Sequence, residues 1–187
     1  DVSAANVILS LDADLFGANG SDPIGAARGF AEGRDMEATG SMSRLYVVES
    51  DYSLTGGMAD NRLRMKSGEI ASFAAAVASA VGAWSGDAGV HASHPWVAEV
   101  AADLRRAGST ALVVAGDNQP AGVHALAAAI NDRLGAVGTT VSYLSLEDSA
   151  NDFEADMQAA LADMNAGDVD VVLTLGVNPV YDLPGFS

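Results

Sequence analysis

Acidic and amide side chains recur in four short segments, each of which directly follows an apolar run. The segments are residues 12–14, 49–51, 116–119 and 176–178. If the apolar runs are parallel strands, all four segments lie at one edge of a sheet, where such folds collect ligands. The candidate site residues there are Asp12, Asp14, Glu49, Gly116, Asp117, Asn118, Gln119, Gly176 and Asn178. Three segments are acidic and none contains Lys or Arg, which argues against a phosphate pocket because carboxylates repel phosphates. Capping of helices and turns by the same side chains is the structural alternative.

Other patterns with known chemistry are weak or missing. The chain has no cysteine, which excludes thiolate metal ligands and iron–sulfur ligation within it. His91 and His94 lie three residues apart without a third ligand nearby in sequence, whereas zinc needs three or four. His124 is predicted to be a partly buried helix residue rather than a general base. No G-x-G-x-x-G, Walker A or G-x-S-x-G motif occurs.

The stretch from residue 110 to residue 138 predicts the unit that positions these side chains. Its apolar run, residues 111–115, ends at Gly116 and is followed by a short polar loop. Pro120 then begins a helical pattern with one apolar face. A buried strand, a glycine-marked turn and an amphipathic helix form the repeating βα unit of an open α/β sheet.

Further apolar runs predict strands that alternate with helical patterns along the chain. These strands cover residues 6–11, 44–49, 140–144 and 169–175. Right-handed crossovers then predict a doubly wound, mostly parallel, Rossmann-like α/β sheet with helices on both faces. Residues 50–66 show no clear period and are predicted to form a long loop over the carboxyl edge of the sheet.

Composition limits the domain organisation and the partners. We interpret residues 1–187 as one α/β module excised from a longer chain, with halves 1–90 and 95–187 joined by a glycine-rich segment. The net charge of -16 gives a surface that repels nucleic acid and anionic lipid, so neither is expected as a partner. Solubility or salt adaptation explains this charge, and an acidic docking face for a cationic partner is the alternative. No apolar run approaches the roughly 20 residues that span a bilayer, and no signal peptide is visible.

Six segments in order carry a family resemblance over nearly the whole chain. They are VILSLDADLFG (7–17), RLYVVES (44–50), LTGGMADNRL (54–63), VVAGDNQPAGVHALAAAIN (113–131), LGAVGTTVSY (134–143) and LGVNPVYDLP (175–184). Together they resemble the α/β core of the molybdopterin (bis-guanine-dinucleotide) oxidoreductases. The nearest resemblance is to the molybdopterin-oxidoreductase-like part of the iron–sulfur subunit of bacterial alternative complex III, a quinol-oxidising respiratory complex.

The resemblance implies that the segments after the strands correspond to loops that hold the guanosine and phosphate ends of the pterin cofactor in active relatives. The site residues named above would then be vestigial or weak cofactor contacts. Two departures support that expectation. Active members commonly follow the second strand with Asp-Pro-Arg, whereas this chain has Glu49-Ser50-Asp51, and they often have Pro-Gly-Thr-Asp where this chain has Ser67-Gly68-Glu69.

The sequence is therefore compatible with three functions. The first is a non-catalytic scaffold domain without cofactor, on the periplasmic side of the bacterial inner membrane, that packs against other domains of its parent subunit and other respiratory-complex subunits. The second is a fragment of an active oxidoreductase that binds molybdopterin guanine dinucleotide. The third, suggested by fold class alone, is a nucleotide- or sugar-binding domain in which Glu49 binds ribose.

Overall fold

The computed structural model describes residues 1–18, 20–144 and 153–182. They belong to two compact units, residues 1–143 and 144–187. The strands of the first unit are β1 (Val7–Leu11), β2 (Arg44–Glu49), β3 (Asn61–Arg64) and β4 (Ala111–Ala115). Its helices are α1 (Pro23–Glu32), α2 (Met36–Thr39), α3 (Leu54–Met58), α4 (Ser67–Val81), α5 (Pro95–Ala107) and α6 (Ala121–Leu134), with a 3-10 turn at Gly108–Thr110. The second unit contains α7 (Phe153–Ala166) and α8 (Pro179–Asp182).

The four strands form one parallel sheet in the order β3-β2-β1-β4. Leu9 in the centre of β1 is in register with Tyr46 of β2 on one side and with Val113 of β4 on the other. The predicted doubly wound, parallel α/β fold is thereby confirmed. Strand β4 belongs to the second half of the chain and β1 to the first, so both halves contribute to one sheet.

Helices cover both faces of the sheet because successive strand residues point to opposite sides. On one face, Leu9, Val48 and Val113 pack with the apolar sides of α4, α5 and α6. On the other face, Ile8, Leu45, Val47 and Leu112 pack with Phe30 of α1. Strands β1, β2 and β4 are therefore buried on both sides, which explains why they appear in the sequence as continuous apolar runs rather than as alternating ones.

Side chains at the helix starts fix where two of the helices begin. Asp22 accepts a hydrogen bond from the Gly25 N–H at the start of α1, at 2.9 Å. His94 caps α5 through Nδ1, which accepts from the Trp96 N–H at 3.2 Å. Both helices continue with proline, whose fixed φ suits the first helical position. Among the described helices, none has the length and apolar character needed to cross a bilayer.

The stretch predicted to be a long loop, residues 50–66, contains helix α3 and edge strand β3. The prediction missed β3 because its four residues, Asn-Arg-Leu-Arg, are mostly polar and too few to show a period. Strand β3 pairs in parallel with β2, with Val48 opposite Leu63. The stretch therefore adds an outer strand to the sheet, and α3 is the element that lies at the carboxyl edge, where Thr55 bonds to Asp14.

The predicted strand at residues 140–144 is wrong. Only an isolated bridge between Val137 and Val141 occurs there. The outer edge of β4 is instead capped by side chains. Asn131 of α6 accepts from the Val113 N–H at 2.9 Å and donates to the Val113 carbonyl at 2.8 Å. The Thr140 hydroxyl donates to the Ala111 carbonyl at 2.5 Å. These side chains form hydrogen bonds with the backbone groups of β4 that a neighbouring strand would otherwise pair with.

The predicted strand at residues 169–175 is also wrong, since these residues form neither helix nor strand in the described second unit. Its apolar residues Val171, Leu173 and Leu175 are largely exposed, at 82%, 78% and 77%. An apolar run indicates that a segment is suited to a buried strand, but a strand also needs a partner for its backbone groups. The predicted helix from residue 151 to residue 165 corresponds to α7, with residues 151 and 152 outside the described part of the chain.

Candidate functional site

A crevice lies where the carboxyl ends of β1 and β4 meet. The chain leaves β1 toward β2 on one side, and β4 lies on the other side, so this is the switch point at which open α/β sheets bind ligands. The cavity measures about 570 Å³, and its walls include Asp12, Asp14, Gly116, Asp117 and Asn118. Five of the nine candidate residues predicted from the sequence are therefore brought together around one opening.

The crevice is narrow at its base because the two strand ends approach each other closely. A Cβ on Gly116 would lie 1.9 Å from the carbonyl oxygen of Asp12, so only glycine fits there. The Gly116 N–H donates to the Leu11 carbonyl at 2.9 Å and continues the β1–β4 pairing by one residue. Asp12 has φ of 58°, the only positive value for a non-glycine residue in the described part of the chain. Asp and Asn tolerate this left-handed conformation better than most residues.

The Asp12 carboxylate holds three loops together. It accepts from the Ser50 N–H at 2.8 Å and from the Ser50 hydroxyl at 3.1 Å. It also accepts from the side-chain amide of Gln119 at 2.9 Å, and that amide lies 3.2 Å from the Ser67 hydroxyl. Gln119 is 5% exposed. Asp12 and Gln119, two of the predicted site residues, are thus hydrogen-bonded to each other, and their contacts connect the ends of β1, β2 and β4.

Asp14 has a comparable role on the other side of the crevice. Its Oδ1 accepts from both the N–H and the hydroxyl of Thr55, at 3.0 and 2.7 Å. The Thr55 hydroxyl in turn accepts from the Phe16 N–H at 3.0 Å. Thr55 is fully buried in α3. The first loop is therefore anchored to α3, a helix that the sequence prediction did not contain.

Glu49 does not line the crevice. Its side chain is only 3% exposed and is paired with the guanidinium of Arg62 from β3. The Ser53 hydroxyl donates to Glu49 Oε2 at 2.5 Å. A Cβ on Gly56 would lie 1.9 Å from Glu49 Oε1, so the carboxylate is enclosed by α3. In this arrangement Glu49 is an internal ion-pair partner and presents no oxygen to a ribose in the crevice.

Gly176 and Asn178 belong to the second unit. Gly176 has φ of 69°, and the Asn178 carbonyl accepts from the Tyr181 N–H at 3.0 Å at the start of α8. These contacts are local. The crevice described above is formed by residues of the first unit.

Carboxylates dominate the wall of the crevice. Its acidic lining residues are Asp1, Asp12, Asp14, Asp22 and Asp117, and none of the described side chains that line it is Lys, Arg or His. Asp1 and Asp22 were not among the predicted site residues, although Asp22 directly precedes Pro23 at the start of α1 and thus has the sequence signature of an N-cap. A wall of this kind repels phosphates and suits ligands that donate hydrogen bonds or carry positive charge.

The two histidines singled out from the sequence lie away from this crevice. His94 is the N-cap of α5, and its ring packs against Phe73 with centroids 5.9 Å apart. His91 Nε2 lies 4.0 Å from Glu69 Oε2. Within the described residues, no group of three or more His, Cys, Asp or Glu is placed to hold a metal ion. In comparisons with known proteins, no family model and no curated protein matches this chain.

Proposed function

We propose that this chain is a non-catalytic module, similar to the α/β core of the molybdopterin oxidoreductases, that serves as a scaffold in a respiratory quinol-oxidising electron-transfer complex. In that role it packs against other domains of its parent subunit and against other subunits, on the periplasmic side of the inner membrane. The observation that carries the proposal is the crevice between β1 and β4. At the place where this fold binds phosphate-bearing ligands, the wall of the crevice is acidic and has no basic side chain among the residues that the structure describes.

The use of the site's carboxylates supports a structural role. Asp12 receives hydrogen bonds from Ser50 and Gln119, Asp14 receives two from Thr55, and Glu49 is paired with Arg62. Each of these bonds joins the end of one strand to a different loop, helix or strand. Hydrogen bonds to charged acceptors contribute about 1.5–3 kcal/mol each. The polar groups at the carboxyl edge therefore hold the sheet's loops in place, as a rigid packing module requires.

The alternative proposal is a fragment of an active oxidoreductase that binds the guanine end of molybdopterin guanine dinucleotide. One observation favours it. The crevice of about 570 Å³ offers carboxylate acceptors at the switch point, and the N–H groups of guanine are donors. The diphosphate of the same cofactor would have to lie against the acidic wall. The two proposals therefore differ in what they expect of a neutral nucleoside and of a charged nucleotide.

Titration calorimetry with guanosine and with GDP separates the two proposals. Under the scaffold proposal, neither compound should bind the full chain with a dissociation constant below about 1 mM, which corresponds to a binding free energy of only about 4 kcal/mol. Asp117→Lys is the matched variant, because Asp117 is exposed and lines the crevice. It should raise the affinity for GDP and leave that for guanosine unchanged. Stoichiometric, submicromolar binding of GDP to the unaltered chain would refute the scaffold proposal and support the alternative.

A further inference from the structure

A second and larger cavity lies between α1 and α3, on the other side of Asp14 from the crevice. It is a groove of about 910 Å³. We call it the α1–α3 groove, and its principal apolar walls are Phe16, Phe30, Leu54 and Met58. The rings of Phe16 and Phe30 contact each other with centroids 5.3 Å apart. Small-molecule sites typically enclose about 300–1,000 Å³ and are lined mainly by apolar and aromatic side chains with a few polar groups.

Large apolar side chains are exposed at this groove. Tyr52 is 70% exposed, Leu54 is 64% exposed and Met58 is 59% exposed, and all three line it. Isolated exposed apolar residues are ordinary, but a contiguous set around a concavity indicates a binding surface. Helix α3 is too short to bury these residues against the sheet. Its buried residues are Thr55 and Gly56, so Leu54 and Met58 are left on its outer side.

Arg34 places a guanidinium at the wall of the groove. The Arg34 guanidinium lies over the Phe30 ring, 5.1 Å from its centroid. Its Nη1 donates to the Ser43 carbonyl at 2.9 Å and to Asp60 Oδ2 at 2.8 Å. Among the described residues, nothing accepts a hydrogen bond from its Nε or Nη2. Arg34 is thus held in place by one nitrogen while its remaining N–H groups are available to an acceptor.

We propose that the α1–α3 groove binds a small amphiphile whose apolar body lies on Phe16, Leu54 and Met58 and whose carboxylate meets Arg34. The aromatic and aliphatic walls remove the body of the ligand from water. A guanidinium matches a carboxylate in charge and in geometry. Asp14 lines the same groove and repels an acidic head, so the ligand's head is directed to the end that carries Arg34.

Three probes with the same twelve-carbon chain test the charge requirement: dodecanoate, dodecanol and dodecyltrimethylammonium. Each is titrated into the full chain below its micelle-forming concentration, and circular dichroism monitors the fold. Because the chain carries a net charge of -16, non-specific adsorption favours the ammonium probe. The proposal expects the reverse order, with dodecanoate about tenfold tighter than dodecanol and the ammonium probe weakest. Equal or tighter binding of the ammonium probe, or no binding of dodecanoate, would overturn it.

Methionine methyl groups report where the probe binds. The chain has six methionines, and ¹³C-methyl labelling gives each a separate resonance. Dodecanoate should shift the resonance of Met58 and leave that of Met36 unchanged, although both side chains are more than half exposed. Binding that shifts both methionines equally would mean adsorption to exposed apolar surface and would count against a defined site.

Matched substitutions distinguish binding at the α1–α3 groove from adsorption to other exposed apolar surface. Met58→Glu should weaken dodecanoate at least tenfold, whereas Met36→Glu, the same change on α2, should leave its affinity unchanged. Arg34→Gln should weaken dodecanoate about tenfold and leave dodecanol unchanged. Dodecanol serves as the internal control for the fold, because loss of the groove would weaken both probes. Equal effects of the two methionine variants would refute the proposal.

Discussion

Replacement of Asn131 tests how the sheet ends at β4. The side-chain amide of Asn131 hydrogen-bonds to both backbone groups of Val113 that face away from β1. It accepts from the N–H at 2.9 Å and donates to the carbonyl at 2.8 Å. Both residues are buried, with exposures of 4% and 3%. Asn131→Leu keeps a side chain of similar size in α6 but leaves the Val113 N–H and carbonyl without partners. Each unsatisfied buried group costs about 1–3 kcal/mol.

The expected loss in the free energy of unfolding is therefore about 2–6 kcal/mol for the two backbone groups. Leucine is a better helix former than asparagine by about 0.5 kcal/mol, which offsets a small part of the loss. Urea unfolding followed by circular dichroism measures the change. Asn118→Leu is the matched control, because Asn118 is exposed in a loop and its substitution should stay within about 0.5 kcal/mol.

Asn131→Asp gives the same position a pH-dependent partner. The ionised carboxylate still accepts from the Val113 N–H but faces the Val113 carbonyl with a second acceptor, so this variant should be strongly destabilised at pH 7. Protonation restores a donor, which raises the folded-state pKa of the introduced carboxyl. The stability of this variant relative to the unaltered chain should then rise as the pH falls through that pKa. A loss below about 1 kcal/mol for Asn131→Leu, or unchanged hydrogen exchange at the Val113 N–H, would refute the edge-capping role.

Three further predictions concern the sheet and its ends, and equilibrium urea unfolding measures each. Gly116→Ala should lower the free energy of unfolding by more than about 2 kcal/mol, because the added Cβ would lie 1.9 Å from a backbone oxygen. The control Gly122→Ala, which places a Cβ in open space on α6, should be neutral or stabilising, and equal effects of the two variants would contradict this account. Arg62→Met should lower the free energy of unfolding by about 3 kcal/mol or more at neutral pH, because Glu49 would remain buried without its cation. A loss of only about 0–1 kcal/mol, the range of an exposed ion pair, would contradict this account. Desolvation raises the pKa of Asp103, but hydrogen bonds from a tyrosine and two arginines outweigh it and hold the pKa below its ordinary value. The stability that the ionised Asp103 contributes is present above the unfolded-state pKa of about 3.9 and is lost as pH falls through the lower folded-state pKa. Asp103→Asn should therefore be destabilising at pH 7 and nearly neutral at the acid end, and a stability difference that stays constant across pH would contradict this role.

The parts of the fold that could be predicted from the sequence are the elements whose burial requires apolar residues at a regular spacing. Strands β1, β2 and β4 are covered on both faces and appear as apolar runs, and α4 and α6 carry their apolar residues at helical spacing. Strand β3 lies at the edge, is only four residues long and has just one apolar residue, so no period marks it. An apolar run also fails to reveal whether an edge is free, which is why the capping of β4 by Asn131 could not be anticipated.

The candidate site was predictable in its location but not in its internal bonding. The rule that ligands collect at the carboxyl ends of parallel strands placed Asp12, Asp14 and Gly116 correctly at one crevice. The same rule grouped Glu49 with them, whereas the structure pairs it with Arg62 of β3. Because β3 was not predicted, the pairing of Glu49 with Arg62 on that strand could not be predicted either. The side chain that neutralises a carboxylate is set by tertiary contacts, which spacing along the chain does not encode.

The bonding of Asp12 determines what the crevice can bind. A ligand that uses this carboxylate must replace donors from Ser50 and Gln119, which are already within 3.1 Å. Each replaced hydrogen bond to a charged acceptor is worth about 1.5–3 kcal/mol, so a ligand without donors of its own loses this amount on binding. Phosphates and carboxylates offer no donors when ionised and are also repelled by the neighbouring aspartates. The crevice therefore selects against the acidic ligands that this fold commonly accepts, whereas the α1–α3 groove, with Arg34 at its wall, is where an acidic head group finds donors.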